Sequence, residues 1–198
     1  MKPKASRVVA IHEAGHCLAH WWNGQSIHRV IVRPSSVREP VIDRRGREVR
    51  CQGLTEASSF ISSPAFIPLL PPRPDLLEDV ERDLLHAYAG PVAESRQNHG
   101  SLVVVLLTSA GAGDSQHADE LLALLPEDQR RGASARALAR SRSLVGRYWR
   151  ALSAVADLLQ EKGDVEGDEI MSLFAAVTGE TQRWKGNPLA SIPMRAAA

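Results

Sequence analysis

Apolar positions near the start of the chain recur at helical spacing. Ile11, Ala14/Gly15, Leu18 and Trp22 form the repeat, and Val8, Val9 and Trp21 widen it. Ser6 stands where an N-cap belongs and Gly24 where a helix stops, so the pattern predicts a helix over 6–23, buried on most sides. The pattern then changes period. "IHRVIVR" (27–33) is rich in β-branched residues and predicts a strand, with "EVRCQGLTE" (48–56) as its neighbour. The arginine-rich stretch between them reads as a solvated hairpin tip, since Glu39, Asp43 and Glu48 dilute its charge.

Five prolines in 62–75 rule out regular helix or central strand, which leaves a connector. Helical spacing resumes at Leu76 with Val80, Leu84 and Ala87, and Pro91 is expected to bend that helix. "SLVVVLLTS" (101–109) has no period and reads as either a buried strand or a packed turn. A third helix is expected to open at Asp114 or Ser115. A fourth is expected from an N-cap at Ser134 to Lys162, with Leu138, Leu144, Val145, Trp149, Leu152, Val155 and Leu159 as core. "GDEIMSLFAAV" closes the helical series, and a flexible tail is expected over 179–198. The fold class expected from this order is α+β and mostly α-helical, with one small sheet.

Composition narrows the function classes. Apolar content of 43% and charged content of 24% are ordinary globular values. A net charge of +1 gives no reason to expect nucleic acid as a partner. Cys17 and Cys51 are too few for a disulfide framework, and a cytoplasmic, reducing setting is expected. The longest apolar run, Leu102 to Leu107, is far short of the roughly 20 residues of a membrane span. No phosphate-binding loop of the G-x-x-x-x-G-K-[ST] type occurs.

The first helix carries the chemistry. Its sequence His12-Glu13-Ala14-Gly15-His16 is an HExxH pattern. Residues four apart lie on one helix face, about 6 Å apart along the axis. Two imidazoles so placed can turn ring nitrogens to one zinc ion. Glu13 then flanks the metal as a base for an attacking water. The competing reading is two buried histidines satisfied by hydrogen bonds. Gly15 costs about 1 kcal/mol against alanine inside a helix, which suggests that another element packs close there. His20 continues the row, but lies about 12 Å along the axis from His12, too far to share one ion, so a structural role is expected. Cys17, His86 and the remaining histidines read as core, packing or surface residues.

In order along the chain, "HEAGHC", "IHRVIVRPS", "QGLTE", "AYAGPVAES" and "TSAGAGDSQHADEL" resemble the peptidase domain of FtsH-type AAA+ proteases. So does the closing "LVGRYWRALSAVADLLQEKGDVEGDEIMSLF", which brings the resemblance to about residue 176. The family's ATPase and transmembrane segments have no counterpart in these residues. The loop before Asp114 is also longer and more apolar than the family's.

The resemblance implies a zincin-like peptidase domain over 1–178. It implies a zinc ion (Zn2+) held by His12, His16 and Asp114, with Glu13 as general base. Without it, Asp114 reads as a helix N-cap. Glu94 is the rival ligand, or else braces a histidine. The function so implied is ATP-independent zinc metalloendopeptidase activity on flexible or unfolded polypeptides, with an ATPase partner in trans as a possibility. The alternative is a catalytically silent module that binds polypeptide or a regulatory partner.

Overall fold

The computed structural model describes residues 5–61, 74–108 and 111–180. The chain is mostly helical with a small sheet, as the pattern predicts. Helix α1 (Arg7–Asn23) begins as expected: Ser6 Oγ accepts from the Val8 amide at 3.3 Å. It ends at Gly24, whose φ of 74° is the left-handed conformation that glycine adopts without strain. Twelve of its residues are buried, so it is a central element.

Strands β1 (Ile27–Val32) and β4 (Gly53–Ala57) pair antiparallel, with Val30 opposite Thr55. Between them β2 (Val41–Ile42) and β3 (Glu48–Val49) form a separate two-stranded hairpin. This is the arginine-rich stretch; Arg44, Arg45 and Arg47 at its turn are exposed. The sheet order is β4-β1-β5, where β5 (Asp164–Glu166) also runs antiparallel to β1. Strand β5 has no counterpart in the expected elements. It is three residues long, and one buried valine between two exposed acids shows no period.

Helix α2 (Leu76–Gln97) runs through Pro91 as one element. The proline-rich connector lies mostly outside the described residues. Helix α3 (Leu102–Leu107) corrects both readings of "SLVVVLLTS": the segment is a short helix. Its Val105 is buried, while Val103, Val104 and Leu107 are exposed. Helix α4 (Ala112–Ala123) starts two residues ahead of Asp114, which makes no capping hydrogen bond.

The expected fourth helix is two helices, α5 (Glu127–Arg147) and α6 (Trp149–Lys162). It starts earlier than Ser134 because Pro126, Glu127 and Asp128 form an acidic first turn. Ser134 instead pairs its hydroxyl with Tyr88 at 2.8 Å. The break falls at Tyr148, with φ −105° and ψ 23°. Its ring packs 5.4 Å from Trp21 and 5.6 Å from Trp22, and its hydroxyl donates to Glu180 at 2.8 Å. Helix α7 (Gly167–Thr178) closes the series, and its Phe174 stacks 5.2 Å from Trp21. The tail beyond residue 180, with Trp184, lies outside the described residues.

One core joins α1, the sheet, α6 and α7; a second lies between α2, α4 and α5. Across the α2–α5 contact, buried Glu81 receives both Arg136 and Arg140. Helices α1 and α2 meet at glycine. A Cβ on Gly15 would lie 2.5 Å from the Ala89 carbonyl oxygen, and one on Gly90 would lie 2.4 Å from His16 Nε2. The close approach expected at Gly15 is therefore present.

These contacts predict opposite outcomes at two helical glycines. Gly15→Val should lower stability by about 2–3 kcal/mol through overpacking. A Cβ on Gly113 meets nothing within 4 Å. Gly113→Ala should raise stability by about 0.5–1 kcal/mol through helix propensity alone. Urea denaturation of both variants checks the pair.

Candidate metal centre

His12 and His16 project from α1 toward the start of α4. His12 Nε2 lies 3.0 Å from Asp114 Oδ2, and His16 Nε2 lies 3.4 Å from Asp114 Oδ1. One ligand atom from each of the three residues lies within 4.8 Å of the others. The three can hold a metal ion. Two imidazole nitrogens and one carboxylate oxygen are borderline to hard donors of the kind zinc accepts.

Helix α2 fixes which nitrogen each ring presents. His12 Nδ1 donates to Glu94 Oε2 at 2.9 Å, and His16 Nδ1 donates to the His86 backbone carbonyl at 2.9 Å. A ring that donates through Nδ1 turns Nε2 to the shared centre. Glu94 thus contacts a candidate ligand and stands outside the cluster of three. His12 and Glu94 are buried, at 6% and 7% exposure, whereas the Asp114 side chain retains 21%. The centre is most open on the α4 side.

Glu13 sits beside the centre against β4. Thr55 Oγ1 donates to Glu13 Oε2 at 2.7 Å. A Cβ on Gly53 would fall 2.3 Å from Glu13 Oε1, so this carboxylate lies flat on a bare stretch of strand.

His20 takes no part in the centre. Its Nδ1 meets Gln25 Oε1 at 3.1 Å, and its ring stacks 3.8 Å from that of His86. Burial lowers its pKa to about 3. His86 is a packing residue by its side chain, which Asn23 reaches at 2.8 Å. Its part at the centre belongs to its carbonyl oxygen, for which no sequence signal exists. Thr55 is likewise absent from the expected site residues, although it ends the G-x-T stretch on which part of the resemblance rests.

The sequence matches no protein-family model and no curated protein.

The carboxylates around the centre favour a protonated His12. Burial works against charge on His12, but hydrogen bonds to Asp114 and Glu94 and the nearby Glu13 charge outweigh it, raising its pKa to about 10. His16 moves the same way: burial opposes the charge and Asp114 overcomes it. Asp114 is lowered, since the charges and hydrogen bonds of His16 and His12 exceed the effect of its burial. A metal ion must displace the proton on His12 Nε2.

Divalent-ion affinity should therefore rise with pH, and binding at about pH 7 should release at least about one proton per ion. Titration calorimetry in buffers of different ionisation enthalpy measures that number; zero release would contradict the assignment. Asp114→Ala should abolish tight binding, whereas Glu94→Gln should weaken it by about 10–100-fold, as loss of a partner to a ligating histidine does. Metal content after dialysis separates the two.

Proposed function

We propose that this chain is a zinc metalloendopeptidase of zincin-like fold that cleaves flexible or unfolded polypeptides. The observation that carries the reading is the convergence of His12 and His16 with Asp114 from a distant helix, beside a buried carboxylate from the same HExxH unit. Both imidazoles have their Nδ1 positions engaged, which directs Nε2 to the common centre. That donor set fits zinc. His12, His16 and Asp114 would hold it.

Zinc bound there supplies Lewis acidity, making water acidic near neutral pH and polarising the peptide carbonyl. Glu13 accepts a proton from the attacking water. It returns that proton to the amide nitrogen as the carbon–nitrogen bond breaks, so the products are a carboxylate and an amine. Glu94 and the His86 carbonyl hold the imidazoles in their tautomers throughout. The free edge of β4, which pairs only with β1 among the described residues, offers backbone hydrogen bonds to an extended substrate. Folded substrates would need an unfolding ATPase acting in trans, because nothing in these residues performs that step. A reducing, cytoplasmic location accords with two free cysteines. Among the described residues no helix is long and apolar enough to cross a membrane.

The decisive experiment digests an unfolded protein such as reduced casein with zinc-loaded enzyme and with Glu13→Gln. The variant should retain zinc and lose at least about 100-fold in kcat, since general-base assistance contributes about 10²–10⁴. Equal cleavage by both would end this mechanism.

A further inference from the structure

Glu13 needs more than proximity to act as a base. A glutamate has three side-chain torsions, and a proton acceptor spread over many rotamers loses rate in proportion. Its position in α1 sets only where the side chain starts. Strand β4 sets where it ends. Thr55 Oγ1 lies 2.7 Å from Glu13 Oε2, and since an ionised carboxylate only accepts, the hydroxyl is the donor. Gly53 is two residues back on the same face of β4, where a side chain would collide with Oε1 at 2.3 Å and with Cγ at 2.8 Å. The two positions work together, Gly53 making room for the carboxylate and Thr55 fastening one oxygen.

We propose that Thr55 is a positioning residue for Glu13, leaving Oε1, over the bare Cα of Gly53, as the oxygen that handles the proton. This rests on the reading of Glu13 as general base. Cys17, one helical turn beyond Glu13, also hydrogen-bonds with the Thr55 side chain. It is fully buried, so the pair is packed away from competing water on that flank. By this assignment Thr55 acts on the reaction through Glu13.

Valine matches threonine in shape and strand preference and lacks only the hydroxyl, so Thr55→Val isolates the bond. With zinc-loaded enzyme and reduced casein, Thr55→Val should lower kcat about tenfold, the scale of one hydrogen bond to a charged group, with KM within about twofold. Zinc content should be unchanged, and Thr55→Ser should restore most of kcat. A second readout needs no activity. In the metal-free protein, Thr55→Val should lower the urea midpoint in the wild-type background, with little or no fall in a Glu13→Ala background.

Unchanged kcat in Thr55→Val, or equal losses in the valine and serine variants, would overturn the inference, as would additive urea midpoints. If wild-type enzyme cleaves nothing, the peptidase reading fails, and the urea cycle still decides whether Thr55 holds Glu13.

Discussion

The close crossing of α1 and α2 at Gly15 and Gly90 is the constraint on which the site depends. With a Cβ on Gly15 directed at the Ala89 carbonyl, or one on Gly90 directed at the His16 ring, the helices could not sit at this distance. Because they do, one α2 helix satisfies both histidines of α1. Glu94 reaches His12 Nδ1, and the His86 carbonyl reaches His16 Nδ1. The two rings then have one nitrogen each to spare, and both face α4. Separating the helices would leave buried imidazoles without partners, a penalty of about 1–3 kcal/mol for each unsatisfied group.

Electrostatics follow from that geometry. Glu13, Glu94 and Asp114 bring three carboxylates to two imidazoles in a largely buried volume. Burial alone would work against charge on His12, His16 and Asp114. Mutual attraction reverses this, raising the pKa of His12 and His16 and lowering that of Asp114. A centre whose carboxylates favour positive charge on its imidazoles offers the same electrostatic complement to a divalent cation. The same device, a buried carboxylate met by cations, fastens α2 to α5 through Glu81. There the cations are permanently charged arginines, whose guanidinium does not give up its proton.

The helical frame was legible where periodicity and end signals agreed. Helix α1 begins at Ser6 and stops at Gly24 as its pattern requires. Elements without such signals differ from the pattern's expectation. The run of aliphatics in α3 has no period, and its mostly solvated face contradicts the burial its composition suggests. The α5–α6 break follows Gly146 by two residues, but a lone glycine inside a helical pattern does not by itself announce a break. The break comes from Tyr148, whose ring packs beside two tryptophans while its hydroxyl reaches Glu180.

The sequence by itself determined that two imidazoles and a carboxylate would share one helix, since spacing along a helix is a local property. It also determined that the helix would be buried and that some element would press on Gly15. Which carboxyl group joins them was not a local question. Asp114 alone resembles a helix cap, and only the packing of α4 turns its oxygens to His12 and His16. The His86 carbonyl and the Thr55 hydroxyl were fixed by tertiary structure as well. A backbone oxygen has no residue type to reveal it, and a threonine on a strand becomes a partner of Glu13 only when that strand is laid against α1.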